Sequence, residues 1–232
     1  AYSTEETEPW APYLALASPV ESDTRQRESQ SNGPGQDEGA GASQNTPESI
    51  VALLGSAVFR KNGPRIKMVG TLDTKETMAV NMLRGDFSKG FMDIAMPRES
   101  GKTATLVFHH YSISNKTETD GNHVTVTFTV RATASMEETT AREFELSPGH
   151  HEEIVQTAEQ ELEALLSRVF FKLRAMDSDV ADLGMTVHKH FKTWPEWKQF
   201  DWPSKFKDTT AGYDIQVFVF TSGFTDNPPT PK

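Results

Sequence analysis

The chain has 232 residues, a formal net charge of −10 at pH 7 and no cysteine. That length buries a substantial core in one large domain, or in one domain and part of another, and the acidic balance argues against a nucleic-acid partner, whose phosphates need a basic surface. Without cysteine, disulfides, thiolate chemistry and Cys-ligated zinc are excluded, and no apolar run reaches the roughly 20 residues of a membrane-crossing helix.

The chain begins at Ala1 with neither Met nor a charged-then-apolar signal segment, which reads as a fragment whose targeting region has been removed. "PYLALASPV" (12–20) reads as a lone strand. Residues 21–49 hold no large hydrophobe; they cannot bury enough surface to offset their ordering entropy and read as a disordered loop. "SIVALLGSAVFR" (49–60) and "RIKMVG" (65–70) read as two strands reversed by "KNGP". "TLDTKETMAVNMLRG" (71–85) then predicts a short helix capped by Thr71 or Asp73, with Met78, Met82 and Leu83 on one face and Gly85 as its stop.

From residue 86 the pattern becomes a meander. "FMDIAM" (91–96) is a short strand, "TATLVFHHYSIS" (103–114) a second and "HVTVTFTVRATA" (123–134) a third, joined through the turn-rich "NKTETDGN" (115–122). The third alternates: Val124, Val126, Phe128, Val130 and Ala132 face one way, and Thr125, Thr127, Thr129, Arg131 and Thr133 the other. That is an antiparallel strand with one wet face. "AREFEL" (141–146) reads as a short strand. Residues 147–177 give the strongest signal, with Ser147 as N-cap, Pro148 at the first helical position, and Ile154, Ala158, Leu162, Leu165, Val169, Leu173 and Met176 forming an apolar stripe over about seven turns. "YDIQVFVFTSGF" (213–224) is the last strand, before the tail "NPPTPK". The predicted fold class is α+β, an antiparallel sheet packed against the long amphipathic helix.

Chemistry-bearing motifs are weak. His109–His110 and His150–His151 are adjacent pairs, and His188 and His190 could share one strand face as metal ligands. No carboxylate at a suitable spacing completes that set, and Lys189 and Lys192 flank it with positive charge, so no metal is expected. Glu152, Glu153, Glu159, Glu161 and Glu163 suit the solvated side of the long helix better than acid–base catalysis. "GSAV" and "SGF" make no nucleophile elbow and no glycine loop cradles phosphate, so no cofactor and no catalytic residue are expected. "NKT" (115–117) matches a short glycosylation pattern that chance often supplies. The stretch "TWPEWKQFDWPSKF" (193–206) places Trp194, Trp197 and Trp202 together. It follows an amphipathic helix and precedes a core strand, which makes it a cap on one end of the core; a stacking platform for a sugar is the alternative.

Two stretches resemble a known family. Gly55, Ala57, Val58, Phe59 and Arg60, followed by Met68, Val69, Gly70 and Leu72 and by Glu76 in the helix, resemble a segment of the spore germinant receptor C-subunit lipoproteins, the Ger(x)C family. Asp179, Gly184, His188, Lys189, Trp197, Trp202 and Phe206 resemble the signature that follows that family's long helix, with Asp182 standing where a first glycine is expected. The resemblance covers about residues 50 to 224. It implies a strand of a middle domain in 1–20, the loop 21–49, the rest of that domain in 50–85, an entire C-terminal α+β domain in 86–225 and a tail in 226–232. It further implies a non-enzymatic scaffold that docks with two integral-membrane receptor subunits of A and B type. The full-length protein would be lipid-anchored at an N-terminal Cys on the outer face of the spore inner membrane, and the present fragment would be soluble. Gly70, Asp179, Gly184, Trp197, Trp202 and Phe206 would be structural, and the wet face of Thr125, Thr127, Thr129 and Arg131 is a candidate interaction face.

Overall fold

A computed structural model describes residues 10–17, 50–62, 65–120, 123–139 and 148–221. The region begins with three strands, β1 (Trp10–Ala17), β2 (Ile50–Asn62) and β3 (Arg65–Asp73), paired antiparallel in the order β1-β2-β3. The strand predicted to be alone therefore has a partner: it pairs with β2 from Trp10↔Val58 to Ala17↔Ile50. Gly55 sits mid-strand at φ 141°, and a Cβ there would lie 1.9 Å from the Leu72 carbonyl oxygen. Only glycine allows β2 and β3 to approach so closely.

Helix α1 (Thr74–Arg84) follows at once. Its N-cap is Asp73, which accepts from the Glu76 amide (2.8 Å) while the Glu76 carboxylate accepts from the Asp73 amide (2.9 Å), a reciprocal capping box. Gly85 ends the helix in the left-handed conformation at φ 78°. Of the three residues expected on its buried face, Met82 and Leu83 are fully enclosed and Met78 only partly.

The second sheet contains β4 (Gly90–Ala95), β5 (Thr103–Asp120), β6 (His123–Thr139) and β7 (Thr210–Thr221), in that spatial order. β5 does not stop at Ser114. "NKTETD" stays extended and pairs with β6 out to Asp120↔His123, because the long cross-strand ladder of alternating Thr and Val on β6 outweighs the turn propensity of Asn, Thr and Asp. The "AREFEL" strand and the Ser147 cap lie outside the described residues, as does the loop 21–49.

α2 (Pro148–Ala175) is the long helix. The predicted stripe from Ile154 to Leu173 is buried throughout, joined by Leu166 and Phe170; Met176 packs against the core from its edge. At 1.5 Å per residue the helix is about 42 Å long, enough to carry the chain back along the sheet, and β7 consequently joins β6 in parallel, from Thr125↔Thr210 to Met136↔Thr221. The sheet is antiparallel from β4 to β6 and mixed at the β7 edge. Short helices α3 (Leu183–His188), α4 (Trp194–Phe200) and α5 (Trp202–Phe206) complete the crossover. One contiguous core runs from Val58, Leu72 and Val80 through Leu106, Phe128 and Leu166 to Phe206 and Val219, so β2, β3 and α1 contribute to the same apolar interior as the second sheet and α2.

Candidate functional site

The signature after α2 is built around one carboxylate. The Asp179 carboxyl group is enclosed, although the residue as a whole keeps some solvent contact. Its Oδ1 accepts from the Leu183 amide at 3.0 Å; its Oδ2 accepts from the Gly184 amide at 2.7 Å and from Trp202 Nε1 at 2.8 Å. Burial pushes its pKa up to about 7, with the three donors and their preference for the ionised form opposing that rise. A Cβ on Gly184 would stand 2.8 Å from the indole Cδ1 and Nε1 of Trp202, so glycine is what lets the ring reach the carboxylate. Asp182, in the place of the expected first glycine, has φ 60°; the turn keeps the left-handed conformation and Asp is one of the few residues that tolerates it.

From this clasp an aromatic chain leads inward. Trp202 meets Phe206 at 5.7 Å between centroids, Phe206 meets Phe170 at 6.1 Å, Phe170 meets Phe128 at 6.1 Å, and Phe128 stacks on Tyr213 at 5.6 Å. These contacts are mostly edge-on, the arrangement favoured by the ring quadrupole. The clasp therefore ties α5 to α2, β6 and β7. Gly70, the signature residue of β3, lies against the residue that follows the C-terminus of α2: a Cβ there would meet Met176 Cε at 2.6 Å.

The tryptophan cluster divides. Trp202 is buried, Trp197 is partly buried beside Phe191 and Phe200, and Trp194 remains 46% exposed. The expected core cap is thus Trp202 with Phe206, while Trp194 and one edge of Trp197 stay at the surface. His188 packs edge-on against both, with centroids 6.0 and 5.1 Å away. It ends a helix instead of lying on a strand, and His190 turns to Thr117, Nε2 to Oγ1 2.7 Å. The His188/His190 pair does not share a strand face. Among the described residues no group of three or more His, Asp or Glu is placed to hold a metal ion.

The face of β6 carrying Thr125, Thr127, Thr129 and Arg131 points away from the core, opposite the buried Val124, Val126, Phe128 and Val130. Thr127 is exposed and the other three are half-buried. Arg131 reaches Asp214 of β7 across the strands (Nη2 to Oδ2 3.4 Å), and Thr125 and Thr210 hydroxyls meet at 3.1 Å. Farther along, the same face carries Phe218, and Phe220 stacks on His109 at 5.6 Å. Under that stack Ser135 lies 2.6 Å from His109 Nε2 and donates its proton to Glu137.

Sequence reasoning missed the polar links across the chain. Lys172 of α2 pairs with the capping Glu76 of α1 at 2.5 Å, Arg60 of β2 pairs with Asp177 at 2.5 Å, and Arg84 Nη1 donates to the Val180 carbonyl at 2.8 Å. Glu159, assigned to a merely solvated helix face, accepts from the Val217 amide of β7 at 3.0 Å and so occupies one donor on an edge strand. These pairs join residues 58 to 117 positions apart in sequence, a separation over which no local pattern carries a signal.

Comparison with known proteins follows the same segments. A family model described as "Spore germination B3/ GerAC like, C-terminal" matches residues 54–223. A solved structure described as the crystal structure of the GerBC protein superposes with a TM-score of 0.63 at 17% identity, covering 75% of this chain and 53% of that one. The present chain thus spans about half the length of that structure, and at this identity the likeness is one of fold. No curated protein matches the chain.

Proposed function

Because the chain belongs to the spore germination B3/GerAC-like C-terminal family, we propose that it is part of a non-enzymatic subunit of a nutrient germinant receptor. In this reading it is a scaffold that docks with two integral-membrane subunits of A and B type, on the outer face of the spore inner membrane, within a longer lipid-anchored protein. The observation that carries the reading is how the conspicuous residues are used. Asp179, Gly184, Trp202 and Phe206 are consumed in holding α3 and α5 to the core, whereas the Thr125, Thr127, Thr129 and Arg131 face of β6 is turned away from the core and only Thr127 of it is fully exposed. A sheet face of threonines flanking an arginine offers adaptable hydrogen bonding and an anchor of the type favoured in interfaces.

The test replaces Thr127 and Arg131 with Glu in the longer protein. Receptor assembly in spores is measured beside the melting temperature of the purified chain. Lost assembly with unchanged melting supports docking through this face; normal assembly with normal melting removes it. The second reading, a carbohydrate-binding module using Trp194, Trp197 and Trp202, has lost Trp202 to the core but retains the exposed ring of Trp194. Titration with muropeptides, read by tryptophan emission, separates the two.

A further inference from the structure

We propose that the surface of Leu183–Lys207 is a peripheral docking face for an anionic lipid bilayer. The inference goes beyond subunit docking and does not depend on it. In a chain of net charge −10, this segment carries Lys189, Lys192, Lys198, Lys205 and Lys207 against only Glu196 and Asp201, a local charge of +3. Among the described residues none of the five lysines forms an ion pair. The two carboxylates are occupied locally: Glu196 accepts from the Lys192 and Thr193 amides at 3.0 and 3.2 Å, and Asp201 accepts from the Ser204 hydroxyl at 2.5 Å. Lys189, Lys192, Lys198 and Lys207 are exposed, as are Glu196 and Asp201, and Lys205 is half-buried, so the outward balance of the segment stays positive.

The aromatic residues complete the pattern. α4 buries none of its residues fully. Trp194 stands 46% exposed, with the Lys198 ammonium 5.5 Å from its ring centroid, and Lys205 lies 5.9 Å over Phe200. Half-exposed tryptophan surrounded by lysine matches the headgroup region of a bilayer, where the indole sits at the boundary and lysine stems extend toward phosphate. Each lysine near an anionic surface adds attraction that decays within a Debye length. The alternatives fit less well. A long polyanion such as nucleic acid would also meet the acidic remainder of the chain, and the segment contains no arginine for bidentate recognition. The patch is held rigidly, since the Thr193–Glu196 capping box fixes α4 and the Asp179–Trp202 bond fixes α5.

The test is co-sedimentation of the full 232-residue chain with vesicles of phosphatidylcholine alone and of phosphatidylcholine mixed with phosphatidylglycerol, at about 0.05 M and about 0.5 M salt. Expected are binding to the anionic vesicles only, its loss at high salt, and a blue shift of tryptophan emission that Trp194→Phe removes. The triple variant Lys189→Glu, Lys192→Glu, Lys198→Glu should lower the partition coefficient about tenfold or more with an unchanged melting temperature. If that variant fails to fold, the same three positions changed to Gln should still weaken binding. No sedimentation with anionic vesicles at low salt would overturn the proposal. So would undiminished binding by the folded triple variant, or displacement from vesicles by a neutral glycan, which would assign the patch to carbohydrate. Purified chain and lipid alone are used, so failure here leaves the receptor-docking reading standing.

Discussion

Replacing Trp202 with Ala separates a structural tryptophan from a surface one. Trp202 is 6% exposed and its indole fills the space between Gly184 and Phe206. Truncating a buried Trp to Ala typically costs about 3–5 kcal/mol through lost transfer energy and the cavity left behind. The change also strips one of three donors from the enclosed Asp179 carboxylate, and an unmet buried charge adds to that cost. A total of about 4 kcal/mol is expected, which for a chain of this size lowers the melting temperature by roughly 8–16 °C. Trp194→Ala, at 46% exposure, should stay within about 0.5 kcal/mol, as surface substitutions usually do. Far-UV circular dichroism is the assay, since emission changes with every tryptophan removed. Equal melting shifts in the two variants, or a Trp202→Ala loss below about 1 kcal/mol, would refute the argument that the clasp anchors the crossover.

Leu165→Ala, at 6% exposure in the stripe of α2, should cost about 2–5 kcal/mol; an unchanged melting temperature would mean the helix is not packed on the sheet as described. Gly55→Ala should destabilise by well over 1 kcal/mol, because φ is 141° and the new Cβ meets a carbonyl at 1.9 Å. Gly212→Ala, whose Cβ has 4.0 Å of clearance, should be far milder, and chemical denaturation of both tests the contrast. Burial raises the Asp179 pKa from 3.8 to about 7, so between these values the folded state binds the proton more tightly than the unfolded one. Its contribution to stability is therefore present at low pH and is lost as pH rises toward 7. Asp182 shifts the same way by burial, so the measurement is the difference in melting temperature between the parent and Asp179→Asn. That difference should move against the parent from about pH 4 to pH 7 and level off above; a flat difference would show that the three N–H donors hold the carboxylate ionised throughout.

Much of the fold was legible because it is written in local periodicity. The three- and four-residue spacing from Ile154 to Leu173 marks α2, and the two-residue alternation from Val124 to Ala132 marks β6, since each spacing places one chemical class on one face. Asp73, Glu76 and Gly85 mark both ends of α1 through side-chain and backbone chemistry confined to a few residues. The family resemblance was carried by residues whose roles are equally strict, Gly55 and Gly184 among them, where the space for a Cβ is already occupied. Other features could not be read this way. "NKTETD" has turn composition yet is strand, because its ladder to β6 supplies partners that no window of sequence displays. The parallel pairing of β7 depends on the length and path of the whole crossover. The three tryptophans are near-equivalent as sequence; only packing decides that Trp202 faces Asp179 while Trp194 faces solvent. Local pattern was enough to mark α1, α2 and β6 and the apolar face of each, because those follow from neighbours within a turn or two of the chain. Which polar groups meet, from Lys172–Glu76 to Asp179–Trp202, emerges only from packing, because those encounters depend on how distant elements are brought together.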